Sequence, residues 1–243
     1  MTYRYTQWSL SLSCAALLAL AACANPSPPT NTASQPSSPN PSDTGQAIVE
    51  PDSASTSASD AATEFQTSFV KIKFKHDDGN DAFSLKPKAD GAKLVDANNQ
   101  ELARFTLDEN GKVKIKDTND SVLGYVIIEN GYWKIEDARQ TQALFILRAQ
   151  EDGDYKLEDG NDTQLYRIKQ RDYGYEVETP AKESLYKIKL KAEQLSLRDA
   201  NDMTVIATKA PMLPLAMVCF GLDALDPAQQ AALAYAVNLS GRQ

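Results

Sequence analysis

The chain carries one histidine in 243 residues, and catalytic or metal chemistry would have to begin there, at His76 beside Asp77, Asp78 and Asp81. Tetrahedral zinc needs further His or Cys donors at short spacing, and none accompany it. A Ser-His-Asp arrangement needs a nucleophile on a sharp strand-to-helix turn, and no Gly-x-Ser-x-Gly stretch is present. His76 therefore reads as a solvated turn residue. The acidic stretches at 77–81, 151–154 and 158–162 gather the oxygens that a hard cation takes, but they lack the spacing and distal glutamate of a calcium loop. Turn chemistry already accounts for them. No glycine loop of the Walker or dinucleotide type occurs, and no cofactor is expected. Cys219 lies inside an apolar stretch and reads as a small hydrophobe, while Asp223 nearby must find a partner or sit at a mouth. Lysines form the one suggestive surface. Lys71, Lys73 and Lys75, then Lys112, Lys114 and Lys116, then Lys187, Lys189 and Lys191 recur at every second position, so each triplet lies on one face of a strand. The second and third triplets are read as contacts for an anionic surface. Solubility and protection against edge pairing explain such rows equally.

The elements that would position these residues begin with an address. Residues 1–22 carry one cation (Arg4) and an apolar core that is short of the roughly 20 residues a spanning helix needs. They end on Leu20-Ala21-Ala22, followed by Cys23. This order resembles a bacterial lipobox. The resemblance implies cleavage before Cys23, a diacylglycerol on its thiol and an acyl chain on its freed amine. Such chains anchor a protein at about 0.8 kcal/mol per buried methylene without spanning the bilayer. Ala24, where inner-membrane retention would have Asp, implies by the same resemblance the outer membrane, on its periplasmic face or at the cell surface.

Residues 23–63 are Pro, Ser, Thr, Asn and Ala with almost no large apolar side chains, a composition that reads as a disordered tether. As a flexible coil it would span roughly 35 Å, enough to hold a domain clear of lipid headgroups. Cys14 leaves with the leader and Cys23 is the lipid site, so no internal disulfide is expected and the fold must hold by its core. Residues 64–243 carry 24 basic and 29 acidic residues, a balance that argues against nucleic acid.

From 64 to 210 one sentence repeats. Asp96, Asp117, Asp137, Asp159, Thr179 and Asp199 each close a short alternating run, 20 to 22 residues apart, and an apolar residue follows six positions later: Leu102, Leu123, Ala143, Leu165, Leu185 and Val205. Period-two alternation on either side makes each unit a β-hairpin. The anchoring aspartate caps its own turn, and the Asn or Asp after it tolerates left-handed backbone. Units are joined through Asn110-Gly111, Asn130-Gly131, Asp152-Gly153 and Tyr173-Gly174. A looser unit from Phe69 to Lys88 puts His76 at the anchor, giving twelve strands, or fourteen with this leading hairpin. The runs Val126-Ile127-Ile128 and Leu144–Leu147 break the alternation and ask for cover on both faces.

The last segment, 211–243, chooses among barrel, propeller and open sheet. Residues 211–225 are apolar on every side and read as a helix buried all round, with Asp226-Pro227 opening a second, shorter helix. The expected fold is all-β with a C-terminal helix: an antiparallel meander of hairpins closed as a barrel around that hydrophobic helix. Aspartate-turn hairpins followed by a very hydrophobic C-terminal helix with Asp223 near its end resemble the tubby-like superfamily, which includes the LURP-one-related and phospholipid scramblase domains. The resemblance covers roughly residues 90–225. It implies a twelve-stranded barrel around a central helix and an association with membrane lipid; the leading hairpin and the tether depart from it. The expected function is non-enzymatic: a lipid-anchored envelope lipoprotein binding an envelope protein, a lipid headgroup or a wall polymer. A wall-binding or structural repeat module is the alternative, and a hydrolase built around His76 a third.

Overall fold

The computed structural model describes residues 70–241, so the leader at 1–22, Cys23 and the tether at 23–63 lie outside the described residues. Seven hairpins follow in order: β1 (Ile72–Lys75) with β2 (Asp81–Lys88), β3 (Gly91–Asp96) with β4 (Glu101–Leu107), β5 (Val113–Lys116) with β6 (Val122–Glu129), β7 (Tyr132–Asp137) with β8 (Ala143–Ala149), β9 (Tyr155–Asp159) with β10 (Gln164–Arg171), β11 (Gly174–Glu178) with β12 (Ser184–Lys191), and β13 (Gln194–Asp199) with β14 (Thr204–Thr208). Each strand pairs with its neighbours in the chain, and β1 returns to β14 to close a barrel of fourteen strands.

Turn chemistry writes this meander. The anchor's carbonyl accepts from the amide three residues on, as in Asp120 to Asp117 and Asp162 to Asp159. Its carboxylate accepts further turn amides, Asn119 and Ser121 at 2.8 Å for Asp117, Asn161 and Thr163 at 2.9 Å for Asp159. The residue at the third position is left-handed in every unit: Asn99 (φ 71°), Asp120 (68°), Gln140 (55°), Asp162 (60°), Lys182 (69°) and Asp202 (64°), with Gly79 (81°) after His76. These are tight loops that end in one left-handed residue and leave a bulge behind them.

The bulge decides which way the apolar position points. One residue of each returning strand is skipped by the ladder: Ala82, Leu102, Leu123, Leu144, Leu165, Leu185 and Val205. Leu102, Leu123 and Val205 are exposed, and the inward run starts one residue later, at the buried Ala103, Gly124 and Ile206. In the Asp137 hairpin the loop is one residue longer, Asp137 N–H reaching Gln142, so the bulge falls on Leu144 and not on Ala143. Bulges at one height in all seven hairpins add local twist to the wall, which helps a sheet to curl shut.

The interior holds a helical pair. The expected helix over 211–225 is shorter than read: α1 (Pro214–Val218) runs into a 3-10 turn at Cys219–Gly221. Pro214 fixes its start, and the chain leaves helical geometry at Leu222 (φ −98°, ψ 79°). The long buried rod is instead α2 (Pro227–Ser240), buried from Ala231 through Leu239 and about 21 Å long. Asp226 accepts from the Gln229 amide while the Gln229 side chain accepts from the Asp226 amide, a reciprocal cap with Pro227 in the first turn. Alanines at 231, 232, 234 and 236 keep α2 thin enough to share the lumen with α1. Inward residues of the strands, among them Phe74, Phe105, Ile135, Leu157 and Ile188, are wholly or almost wholly buried against the pair. The leading hairpin is part of this wall; it does not lie over the outer face, where Ile127 is nevertheless 8% exposed.

Candidate functional site

Closure is the weakest joint of the wall. The ladder between β1 and β14 is limited to Lys75 opposite Ala207, whereas β1 pairs with β2 at four positions. One residue past that pair β14 ends, at Thr208, and the chain turns through Pro211 and Pro214 toward the lumen. At the other end His76 clips the joint, its Nδ1 lying 3.3 Å from the Val205 carbonyl.

Over this seam the outer faces of β12, β13, β14 and β1 form a trough of about 970 Å³. Its floor is small: Ser196 on β13 and Ala207 on β14 are 8% and 5% exposed. Its walls are long and cationic, because Ile72 and Phe74 face the core and the alternate residues Lys71, Lys73 and Lys75 face out on one side, with Lys189 and Lys191 on the other. β12 and β1 stand three strand steps apart, about 14 Å. Arg198 and Asp202 line one end and Lys209 the other. Seven cations thus line the trough against Asp77 and Asp202.

Part of that charge is answered locally. Lys73 and Lys75 reach Asp81 at 2.7 and 3.3 Å, and Lys189 and Arg198 reach Asp202 at 2.7 and 3.4 Å. The Lys73 ammonium holds the Asp81 carboxyl below the usual carboxylate range, and Lys189 does the same for Asp202. Lys71, Lys191 and Lys209 have no ion-pair partner among the described residues. Even-numbered strands run toward the end where β1 begins, so these three cations stand together at that end, beside the point where the chain enters the barrel.

The structure does not bring the two sequence-selected rows together. β5 and β12 are seven strands apart in a ring of fourteen, on opposite walls. The β5 row is also occupied: Lys112 donates to Gln140 Oε1 at 3.0 Å, Lys114 sits 5.8 Å from the Tyr125 ring centroid, and Lys116 pairs with Asp120 at 3.0 Å. Lys189 and Lys191 instead face Lys71, Lys73 and Lys75 across the trough, while Lys187, opposite Glu176 and Arg198 in the sheet, lies outside its lining. Arg198 and Lys209 join the trough only through closure, which sequence spacing does not show. A sequence signal existed in the first hairpin, whose lysine row must share a seam with the last strand once the barrel shuts.

Other candidates are accounted for by structure. Cys219 is fully buried, its thiol pushed well up by burial and its Sγ 3.7 Å from the Leu215 carbonyl. Asp223 lies at the mouth on the aspartate-turn side, accepting from Tyr186 Oη at 3.0 Å, while Tyr166 Oη accepts from the Ala224 amide at 3.1 Å. Burial first, and then the Asp223 hydrogen bond, push the Tyr186 phenol up to about 12. Among the described residues no group of three or more His, Cys, Asp or Glu side chains is arranged to hold a metal ion.

No family model matches the chain, and no curated protein does. Among solved structures, the chain is similar to an X-ray structure of an Arabidopsis thaliana protein at 12% identity, over 62% of this chain and 85% of that one, with a TM-score of 0.33. So low a likeness carries no argument about activity.

Proposed function

We propose that the chain is a lipid-anchored protein of the bacterial cell envelope, held by Cys23, whose tethered barrel binds an anionic partner without catalysing a reaction. The membrane's own headgroups are the partner this reading favours, in line with the resemblance to tubby-like domains. The supporting observation is the trough at the β1–β14 seam, with Lys71, Lys191 and Lys209 unpaired among the described residues at the end where the chain enters. A lipid anchor at Cys23 would bring that end toward the bilayer before any other, and headgroup phosphates would find cations that need not first break an ion pair.

Sedimentation of the full chain with phosphatidylglycerol vesicles tests this. Binding should weaken with salt, and K71E/K191E/K209E should lose about a hundredfold or more in affinity, taking about 1 kcal/mol per cation near an anionic surface. The same reversal on the far wall, K112E/K114E/K116E, should cost much less. Equal losses would remove the trough from the reading. Retention on purified peptidoglycan without vesicle binding would move the assignment to a wall-binding module.

A further inference from the structure

We infer that the barrel mouth beside the chain's entry takes the acyl chain of a membrane phospholipid, whose anionic head lies over the rim at Lys191. The inference rests on the headgroup reading of the proposed function and gives the lipid's tail a site of its own.

Strand register builds the mouth. Odd-numbered strands start at the end where β1 begins. Trp133, Tyr155 and Tyr175 each stand two residues before a buried inward residue, Ile135, Leu157 and Val177, so on β7, β9 and β11 they face inward at one height. Neighbouring rings lie 6.2 and 6.1 Å apart between centroids, and Trp133 Nε1 donates to Ser240 Oγ at 3.0 Å, which fixes the indole against the end of α2. With Leu190, Leu213 and Leu215 these rings line a cavity of about 450 Å³. Leu190 shares the inward face of β12 with Ile188, and its cross-strand partner Leu195 is buried, yet Leu190 is 59% exposed. A leucine in inward register without cover leaves room for an apolar guest.

The charges around the cavity say what the guest is. Asp172 is the one acid of the lining among the described residues, and Arg171 beside it is held by Glu176 and Glu178, each at 2.9 Å. The residue after Leu190 is Lys191, which lines the trough on the outer face together with Lys71 and Lys209. The end of β12 thus offers an apolar contact inside the rim and an unpaired cation outside it. That pairing fits an amphiphile with an anionic head and an apolar tail. The described chain enters at this same end, where an anchor at Cys23 would hold the bilayer, so a phospholipid is the amphiphile at hand. Trp and Tyr rings, apolar in body and polar at the tip, are also the side chains that gather where lipid meets water.

The probes are hexyl, octyl and decyl phosphate below their micelle concentrations, with inorganic phosphate as the head alone. They are titrated into the full chain carrying W8F, which leaves Trp133 as its only tryptophan. Trp133 emission should shift with the alkyl phosphates, and affinity should rise about tenfold for every two carbons, as expected for methylenes leaving water. Inorganic phosphate should leave Trp133 unmoved. L190Q should weaken decyl phosphate about fivefold or more, whereas L123Q, at an exposed position on the aspartate-turn end, should not; both should keep the parent's urea midpoint. K71Q/K191Q/K209Q should weaken all three alkyl phosphates by one common factor. Affinities independent of chain length, or undiminished by L190Q, would overturn the tail site, while sedimentation with phosphatidylglycerol vesicles would still leave the headgroup reading standing. Chain-length dependence in a protein that does not sediment with those vesicles would overturn the membrane as the source of the tail. Binding of neither probe nor vesicle would remove both readings. Binding that appears only in C23S or in F65A/F69A would assign the mouth to the chain's own lipid or its own residues and overturn the inference.

Discussion

Replacing Phe74 with alanine should destabilise the barrel at its thinnest joint. Phe74 is fully buried on β1, stacked on Phe83 with centroids 4.5 Å apart and edge-on to Phe220 at 4.9 Å. With one paired position holding β1 to β14, this ring links the seam strand to the 3-10 turn in the lumen. A buried Phe→Ala change costs about 3–5 kcal/mol through lost transfer energy and the cavity left behind. That is a large share of the roughly 5–15 kcal/mol by which domains are stable. Urea unfolding followed by tryptophan fluorescence measures it, with K73A, one residue away on the outer face, as a control expected to change little. The F74A/F220A double-mutant cycle should show a coupling of about 0.5–1.5 kcal/mol. A loss below about 1 kcal/mol for F74A, or a cycle that closes without coupling, would refute the placement of β1 against the lumen.

Two further predictions concern turns and caps. The amides of Thr141 and Thr163 lead the hydrogen bonds that hold the Asp137 and Asp159 carboxyls below the usual carboxylate range, so each stabilises the fold above its unfolded pKa near 3.8 and loses that contribution as pH falls through the depressed folded value. D137N/D159N should therefore flatten the acid side of the stability curve, which thermal melts between neutral pH and the acid limit would show; an unchanged slope would contradict the turn assignment. D226A removes the reciprocal cap of α2 and should cost about 0.5–2 kcal/mol in urea melts, with D226S recovering most of it.

What the sequence makes legible is what is local. Asp117 and Asp159 with their left-handed third residues mark hairpins because cap, turn and bulge lie within ten residues of one another. Asp226-Pro227 marks a helix start for the same reason. The apolar residue after each turn is legible as a repeat but its direction is not, because a bulge carries Leu102 and Leu123 outward. Apolar composition alone overextends the first C-terminal helix, because it cannot register that Pro214 and Gly221 bracket it, and the long buried rod falls on Pro227–Ser240 instead. Closure is the non-local part. Lys75 and Ala207 are separated by most of the domain, and which lysine rows share a seam depends on strand number. Opposite walls for Lys114 and Lys189, and a shared trough for Lys73 and Lys189, follow only once the ring is counted.

Reactivity of Cys219 in the native chain tests the closed wall most directly. With the helical pair sheathed and the thiol fully buried, labelling by a small maleimide should proceed only through global unfolding, at a rate that rises with urea in step with the loss of native fluorescence. Fast labelling without denaturant, at the rate of an exposed thiol, would mean that the strands do not close over the helices and that the seam and its trough do not exist in solution.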